Sequence, residues 1–195
     1  MSSATAVDNR RHFNAVLVNT FIANLTTSFV WLAVTFWLYL ETRSVLVTSI
    51  FGGGYMLLLA VMGVPFGSWI DRTRKKTVMV AAQAATTVLF VIGLVVFLLA
   101  PRDQVLIIGS PLFVAFLLPL LAGAVMESAR GIALGTIVTL LVPDAERAKA
   151  NGMVGIVNGL TFAVTSVFAG LAIGQLGITW SLVLATALTV LSLLH

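Results

Sequence analysis

The sequence contains no cysteine and only two histidines among its 195 residues, and charged residues make up 9% of it. The absence of cysteine excludes disulfide bonds and thiolate metal sites, and the two distant histidines, His12 and His195, do not form a ligand set. The scarcity of charge excludes an ordinary soluble domain, in which about 25% of residues are charged. The 11 basic residues are too dispersed for a nucleic-acid-binding surface. We therefore expect no cofactor and no nucleic-acid partner.

Hydrophobic residues dominate instead, at 59% of the chain, and the mean hydropathy is +1.09. An apolar stretch of about 20 residues is long enough to cross the hydrocarbon core of a bilayer. Such stretches run over Phe13–Leu40, Leu46–Ile70, Thr77–Ala100, Val105–Val142, Asn151–Gly174 and Thr179–Leu194. Their apolar character is continuous rather than alternating, which favours helices over a barrel. The sequence thus predicts an all-α integral membrane protein with six transmembrane helices.

The positions of the basic residues predict the orientation of these spans. Two of them, Arg43 and Arg102, lie in loops on one side of the predicted bundle. Eight lie on the other side: Arg10, Arg11, Arg72, Arg74, Lys75, Lys76, Arg147 and Lys149. Basic residues concentrate in cytoplasmic loops. We expect a cytoplasmic tail over residues 1–12 and a multi-pass bundle over residues 13–195 in the plasma or inner membrane, with both termini cytoplasmic.

The loop between the second and third predicted spans, "GSWIDRTRKK" at residues 67–76, is the most distinctive stretch. Orientation explains its basic end but not Gly67 or Asp71. The pattern that these two form with Arg72, Lys75 and Lys76 resembles the loop signature of the major facilitator superfamily. Where that signature usually has a second glycine, this chain has Arg74. The resemblance implies that Gly67 lets a neighbouring helix approach closely and that the loop acts as a conformational latch against the other half of a transporter.

A second stretch, "LVPDAERAKANG" at residues 141–152, resembles the connection between the fourth and fifth helices of drug-efflux-like members of that family. The following helix departs from family antiporters, which show a Gly-Pro pair followed by Gly-Gly. It has Thr165, Ser166, Ala169 and Gly170 at the corresponding places.

This resemblance implies the six-helix N-terminal half of a twelve-helix fold, built from two three-helix inverted repeats. The expected function is secondary active transport of a small molecule, in the direction of export, by alternating access. It also implies that the chain is not an enzyme, and that its partners are the bilayer, a small-molecule substrate, and a missing C-terminal half or a second copy. The sequence has no phosphate-binding Gly-Lys-Ser/Thr loop, so an ion gradient or the substrate's own gradient would supply the energy.

The chain stops soon after its last predicted span begins, in "TWSLVLATALTVLSLLH", and we expect it to be truncated. This ending favours an alternative function, that of a partner-dependent membrane half-protein or scaffold that does not transport.

Glu127 and Arg130 are the charged residues inside a predicted span. Charges within a membrane usually face a cavity or each other, and a spacing of three places both on one helix face. If the helix enters the lipid near Val105, the two residues form an ion pair at the inner membrane edge. If it enters near Leu112, both lie inside the membrane. Glu127 could then exchange a proton, and Arg130 could meet an anionic substrate or the carboxylate itself.

The first predicted span carries uncharged polar residues, among them Asn24, Thr27 and Ser28, with Trp31 close by. Buried amides and hydroxyls need hydrogen-bond partners. They are expected either to join helices or to line, with Trp31, a cavity for a bulky and largely apolar substrate. We expect Trp37, near Tyr39, to belong to an interfacial aromatic belt instead.

Glycines spaced by four suggest where helices pack closely. The pairs are Gly63 and Gly67, Gly131 and Gly135, Gly155 and Gly159, and Gly170 and Gly174. For most of them we expect ordinary tight packing. The alternative is a surface on which helices slide during alternating access.

Overall fold

The computed structural model describes residues 3–194, with side chains over residues 15–137 and 142–194. Arg10, Arg11, His12 and His195 therefore lie outside the described side chains. The helices are α1 (Ser3–Thr42), α2 (Val45–Arg72), α3 (Lys75–Leu99), α4 (Arg102–Val105), α5 (Pro111–Leu141) and α6 (Arg147–Leu194). A 3₁₀ turn over Asp144–Glu146 precedes α6, and the described residues form no strand. The all-helical prediction is confirmed.

Five helices are long and apolar enough to cross a membrane within residues 3–194. The first four are the spans Ala15–Thr42, Val45–Arg72, Lys75–Leu99 and Pro111–Ile137. The fifth, Asp144–Leu194, contains both the fifth and the sixth predicted spans. Its backbone leaves the helical conformation at Gly177, where φ is 75° and ψ is 176°. This conformation is almost exclusive to glycine, and it falls between the two predicted spans.

The prediction that the fourth span begins at Val105 is wrong, because α5 begins at Pro111. Residues 105–110 complete the short α4 and a turn that contains Gly109 at a φ of +79°. α5 begins at Pro111, where proline is favoured because no helical partner is available to a backbone N–H at that position. The Ser110 hydroxyl accepts a hydrogen bond from the Phe113 N–H at 3.0 Å and so caps the helix. Glu127 and Arg130 therefore lie within the candidate span Pro111–Ile137.

The bundle is built around two helix pairs, α1 with α6 and α3 with α5, while α2 is the least covered long helix. Close approach in the second pair depends on two glycines outside the predicted pairs. A Cβ at Gly93 would lie 2.7 Å from Leu120 Cδ2, and one at Gly123 would lie 2.7 Å from Phe90 Cε1. The Thr86 hydroxyl also donates to the Gly123 carbonyl at 3.0 Å. Because glycine has no side chain, Gly93 and Gly123 allow α3 and α5 to pack closely.

The expectation of tight packing at the glycine pairs is wrong for the described part of the chain. At Gly63, Gly67, Gly131, Gly135, Gly155, Gly159 and Gly174 an added Cβ would meet no atom within 4 Å. At Gly170 the nearest atom is Phe36 Cε2, at 4.0 Å. The close approach expected at Gly67 is therefore not made between the described helices. Spacing by four does not distinguish a packed glycine from an open one.

The prediction for Trp37 is also wrong, because this side chain is only 4% exposed and belongs to the core. Its ring meets Phe97 and Phe116 edge-on, with ring centroids 5.7 and 5.3 Å away. Edge-on aromatic pairs stabilise a core beyond the area that they bury. Trp37 thus packs α1 against α3 and α5 and does not belong to an interfacial aromatic belt.

Gly123→Ala is expected to lower the free energy of unfolding by about 1–3 kcal/mol, because the new methyl group overlaps the buried ring of Phe90. Gly131→Ala, on the same helix, is the matched control. Its methyl group meets open space, and alanine favours helix by about 1 kcal/mol, so stability should hold or rise. Equilibrium unfolding in mixed micelles measures both. Equal stability of the two variants would contradict the packing described at Gly123.

Candidate functional site

A cavity of about 390 Å³ opens between α1, α2, α5 and α6. Its wall includes the buried charged residues of α5, and it combines polar groups of α1, α5 and α6 with apolar groups. The lining residues are Thr20, Asn24, Thr27, Ser28, Tyr55, Ala124, Glu127, Ser128, Arg130, Gly131, Leu134, Gly135, Val154, Asn158 and Phe162. A pocket of this volume is within the range that accommodates small molecules.

Glu127 and Arg130 form an ion pair on α5, in which Arg130 Nε donates to Glu127 Oε1. Arg130 is 1% exposed and Glu127 is 7% exposed, so both charges are removed from solvent. A spacing of three residues brings their side chains together on one helix face, as expected from the sequence. Isolated charges would be strongly disfavoured here, and each residue supplies the opposite charge that the other needs.

Arg130 also crosses to α1. Its Nη2 donates to Asn24 Oδ1 at 2.7 Å, and its Nη1 donates to Thr20 Oγ1 at 3.4 Å. Asn24 in turn donates through Nδ2 to Asn158 Oδ1 on α6, at 2.6 Å. One guanidinium therefore organises a polar network that links α5, α1 and α6 beside the cavity. Such a network fixes the relative positions of three helices where lipid provides no hydrophobic drive for their association.

One buried polar atom in this wall has no partner among the described residues. Glu127 Oε2 is buried and accepts no hydrogen bond, although Oε1 of the same carboxylate is paired. Buried polar atoms are nearly always satisfied in folded proteins, so an unmatched carboxylate oxygen beside a cavity is a candidate contact for a ligand.

Most residues that we selected from the first span are brought together here. Asn24, Thr27 and Ser28 line the cavity, whereas Trp31 does not. Trp31 packs behind Tyr55, with ring centroids 4.4 Å apart, and stacks on Phe51 at 5.0 Å. It supports the wall and does not form it.

Sequence reasoning missed other contributors to the wall, among them Thr20, Asn158 and Tyr55. Thr20 and Asn158 were detectable as polar residues within apolar runs, but nothing in the pattern connected them with Arg130. Tyr55 follows three consecutive glycines on α2 and lines the cavity. Its position became apparent only from the packing of α2 against α5.

The loop at residues 67–76 lies apart from this cavity. Asp71 and Arg72 are exposed in the last turn of α2, and Lys76 is exposed at the start of α3. No described residue pairs with the Asp71 carboxylate. Lys75 has a local structural role, because its Nζ donates to the Ile70 carbonyl at 2.6 Å and so satisfies the C-terminal end of α2.

The long apolar helices and the buried ion pair beside a cavity define a multi-pass membrane protein. The chain belongs to the Major Facilitator Superfamily, whose sequence model matches residues 16–195. Members of this family are generally membrane transporters and not enzymes. Comparison with curated proteins and with solved structures finds no match.

Proposed function

We propose that the protein is a secondary active transporter that exports a small molecule by alternating access. The observation that carries this proposal is the cavity of about 390 Å³ whose wall contains the buried Glu127–Arg130 pair. Buried ionisable groups in membrane proteins usually mark a substrate or ion pathway. Because the polar network joins α1, α5 and α6, substrate or ion binding at this wall would act on three helices at once.

We further propose six spans with both termini in the cytoplasm of the plasma or inner membrane. The kink at Gly177 divides α6 into residues 147–176 and 178–194, about 45 and 25 Å long at 1.5 Å per residue. The first segment is long enough to cross a hydrocarbon core of about 30 Å, and the second, of about 17 residues, reaches the lower limit for a membrane span. The distribution of basic residues supports a cytoplasmic position for residues 67–76 and 143–150. Two three-helix repeats fit this arrangement.

The uncovered surface of α2 is consistent with a further membrane partner, either a C-terminal six-helix half or a second copy. In this proposal the loop at residues 67–76 is the latch that contacts it. Energy would come from an ion gradient or from the substrate's own gradient, with Glu127 as the candidate proton carrier.

Alternating access predicts that a cavity residue is reachable from each side of the membrane in turn. Because the chain has no cysteine, Ser128→Cys would place a single reactive thiol in the cavity wall. An imposed ion gradient or a transported substrate should raise its labelling by an impermeant maleimide from one side and lower it from the other. Labelling in oriented liposomes measures both rates.

Lys76→Cys and Arg102→Cys provide the controls, since both positions are exposed and lie at helix starts assigned to opposite sides of the membrane. Each should react from one side only, cytoplasmic for Lys76→Cys and external for Arg102→Cys, whatever the gradient. If Ser128→Cys reacts from one fixed side under all conditions, the alternative of a membrane scaffold that does not transport is favoured.

A further inference from the structure

The polar groups of the cavity differ in which hydrogen-bond donors and acceptors remain available to a ligand. Each side-chain nitrogen of Arg130 makes one hydrogen bond, to Glu127, Thr20 or Asn24, so three of the five guanidinium N–H groups are engaged, and the residue is only 1% exposed. An anionic group entering the cavity finds almost no exposed guanidinium surface to contact, because the residue is buried. The structure therefore argues against the anionic substrate that the sequence left open.

Among the buried side-chain atoms of the wall, the one without a hydrogen-bond partner is an acceptor. Glu127 is 7% exposed and lines the cavity, and its Oε2 has no hydrogen-bond partner among the described residues. An ionised carboxylate has no proton to donate, but each of its oxygens can accept hydrogen bonds. Oε1 is held by Arg130, which leaves Oε2 for a donor from the ligand.

The aromatic and apolar residues of the wall indicate the chemical character of the rest of such a ligand. Tyr55 presents an aromatic ring that is supported from behind by Trp31, and Phe162, Leu134 and Val154 add apolar surface. Aromatic faces attract cations as well as flat apolar groups. A ligand with an apolar aromatic body and an N–H or O–H at one end matches this distribution.

We propose that the cavity selects amphipathic molecules with an aromatic body and a hydrogen-bond donor, best an amine, which binds Glu127 Oε2. This inference rests on the proposed transport function and names the substrate class for the same site. It assigns opposite roles to the two charged residues. Arg130 organises the wall, and Glu127 contacts the substrate.

The test compares four probes that share a naphthalene ring and differ in the terminal group: 1-naphthylmethylamine, 1-naphthalenemethanol, its methyl ether, and 1-naphthoate. Binding to the protein in lipid nanodiscs is measured by titration calorimetry, with empty nanodiscs as the blank for partitioning into lipid. The amine should bind at least about tenfold more tightly than the ether and the naphthoate, since a hydrogen bond to a charged group is worth at least that factor. If the alcohol binds as tightly as the amine, a neutral donor is sufficient. If it binds only as tightly as the ether, the positive charge is needed. Both results agree with the inference.

Glu127→Gln sharpens the test because it exchanges an acceptor for a donor. If the glutamine oxygen keeps the bond from Arg130, the amide nitrogen takes the place of Oε2 and presents N–H groups to the cavity. The preference should then reverse, so that the ether binds at least as tightly as the amine. Glu41→Gln, which removes an exposed carboxylate at the end of α1, should leave the ranking unchanged. A reversed preference cannot arise from misfolding alone.

Tightest binding of the naphthoate would show that Arg130 is the recognition group and would overturn the inference. Equal binding of the amine and the ether to the unaltered protein would overturn it as well, because Oε2 would then be satisfied without the ligand. These outcomes leave the labelling of Ser128→Cys unaffected. Conversely, the expected ranking with no alternation at Ser128→Cys would retain the binding site and remove the transport function.

Discussion

Arg130→Ala is expected to destabilise the protein by about 3–5 kcal/mol and to abolish transport. The substitution leaves the buried Glu127 carboxylate without its ion-pair partner and removes the donors to Thr20 and Asn24. Removing one member of a buried pair is costly because the other charge stays in a medium of low polarity. Equilibrium unfolding in mixed micelles and flux into liposomes measure the two effects. Arg102→Ala, at an exposed position, is the control and should change stability by less than about 0.5 kcal/mol.

The double variant Arg130→Met with Glu127→Leu separates stability from function. Replacing both members of a buried ion pair with apolar residues of similar size is often neutral or stabilising. We therefore expect the double variant to recover most of the unfolding free energy while transport stays absent. If Arg130→Ala is as stable as Arg102→Ala, the guanidinium does not organise the network described here. If the double variant transports, the charged pair is not part of the pathway.

Asp71→Asn is expected to lower substrate flux by about tenfold or more while the free energy of unfolding changes by less than about 0.5 kcal/mol. The Asp71 side chain is exposed and has no described partner, so its substitution removes no contact that stabilises the bundle. A latch acts differently, because it changes the balance between two conformations, and coupling energies of this kind correspond to roughly 5–150-fold effects. Flux in liposomes and unfolding in micelles are measured on the same preparation.

Asp103→Asn is the matched control for Asp71→Asn, since it also removes one exposed carboxylate but lies in α4, on the side predicted to be external. Its flux should equal that of the unaltered protein. Undiminished flux in Asp71→Asn would count against the latch role of the loop at residues 67–76. A loss of stability in Asp71→Asn would show that the carboxylate has a structural role instead.

The charged pair illustrates what local spacing can predict. Glu127 and Arg130 are three residues apart in a helical span, so their proximity follows from helix geometry alone. Their position along the helix depended on where the helix begins, and that was decided by the turn at residues 105–110 and the cap at Ser110. The bonds from Arg130 to Thr20 and Asn24 join residues 110 and 106 positions apart, which no local spacing encodes.

Gly123 and Trp37 show the limits of pattern in a membrane helix. In soluble proteins, a polar face and an apolar face indicate which side of a helix is buried. Here nearly every face is apolar, because lipid and protein interior both favour such residues. The sequence therefore did not reveal that Gly123 meets α3 and Gly131 meets open space, or that Trp37 enters the core.

The sequence by itself determined the membrane class, the helical secondary structure, the spans of the first four long helices to within a few residues at most boundaries, and the location of the loop at residues 67–76. These follow from composition, from the length of apolar runs and from the requirement that backbone groups bond within the helix in lipid. Only the tertiary structure decided which faces pack, which glycines matter, and that Arg130 bonds to α1 while Glu127 Oε2 has no hydrogen-bond partner among the described residues. The physical reason is that helix formation is local, whereas the pairing of polar groups across a bundle depends on how separate helices meet.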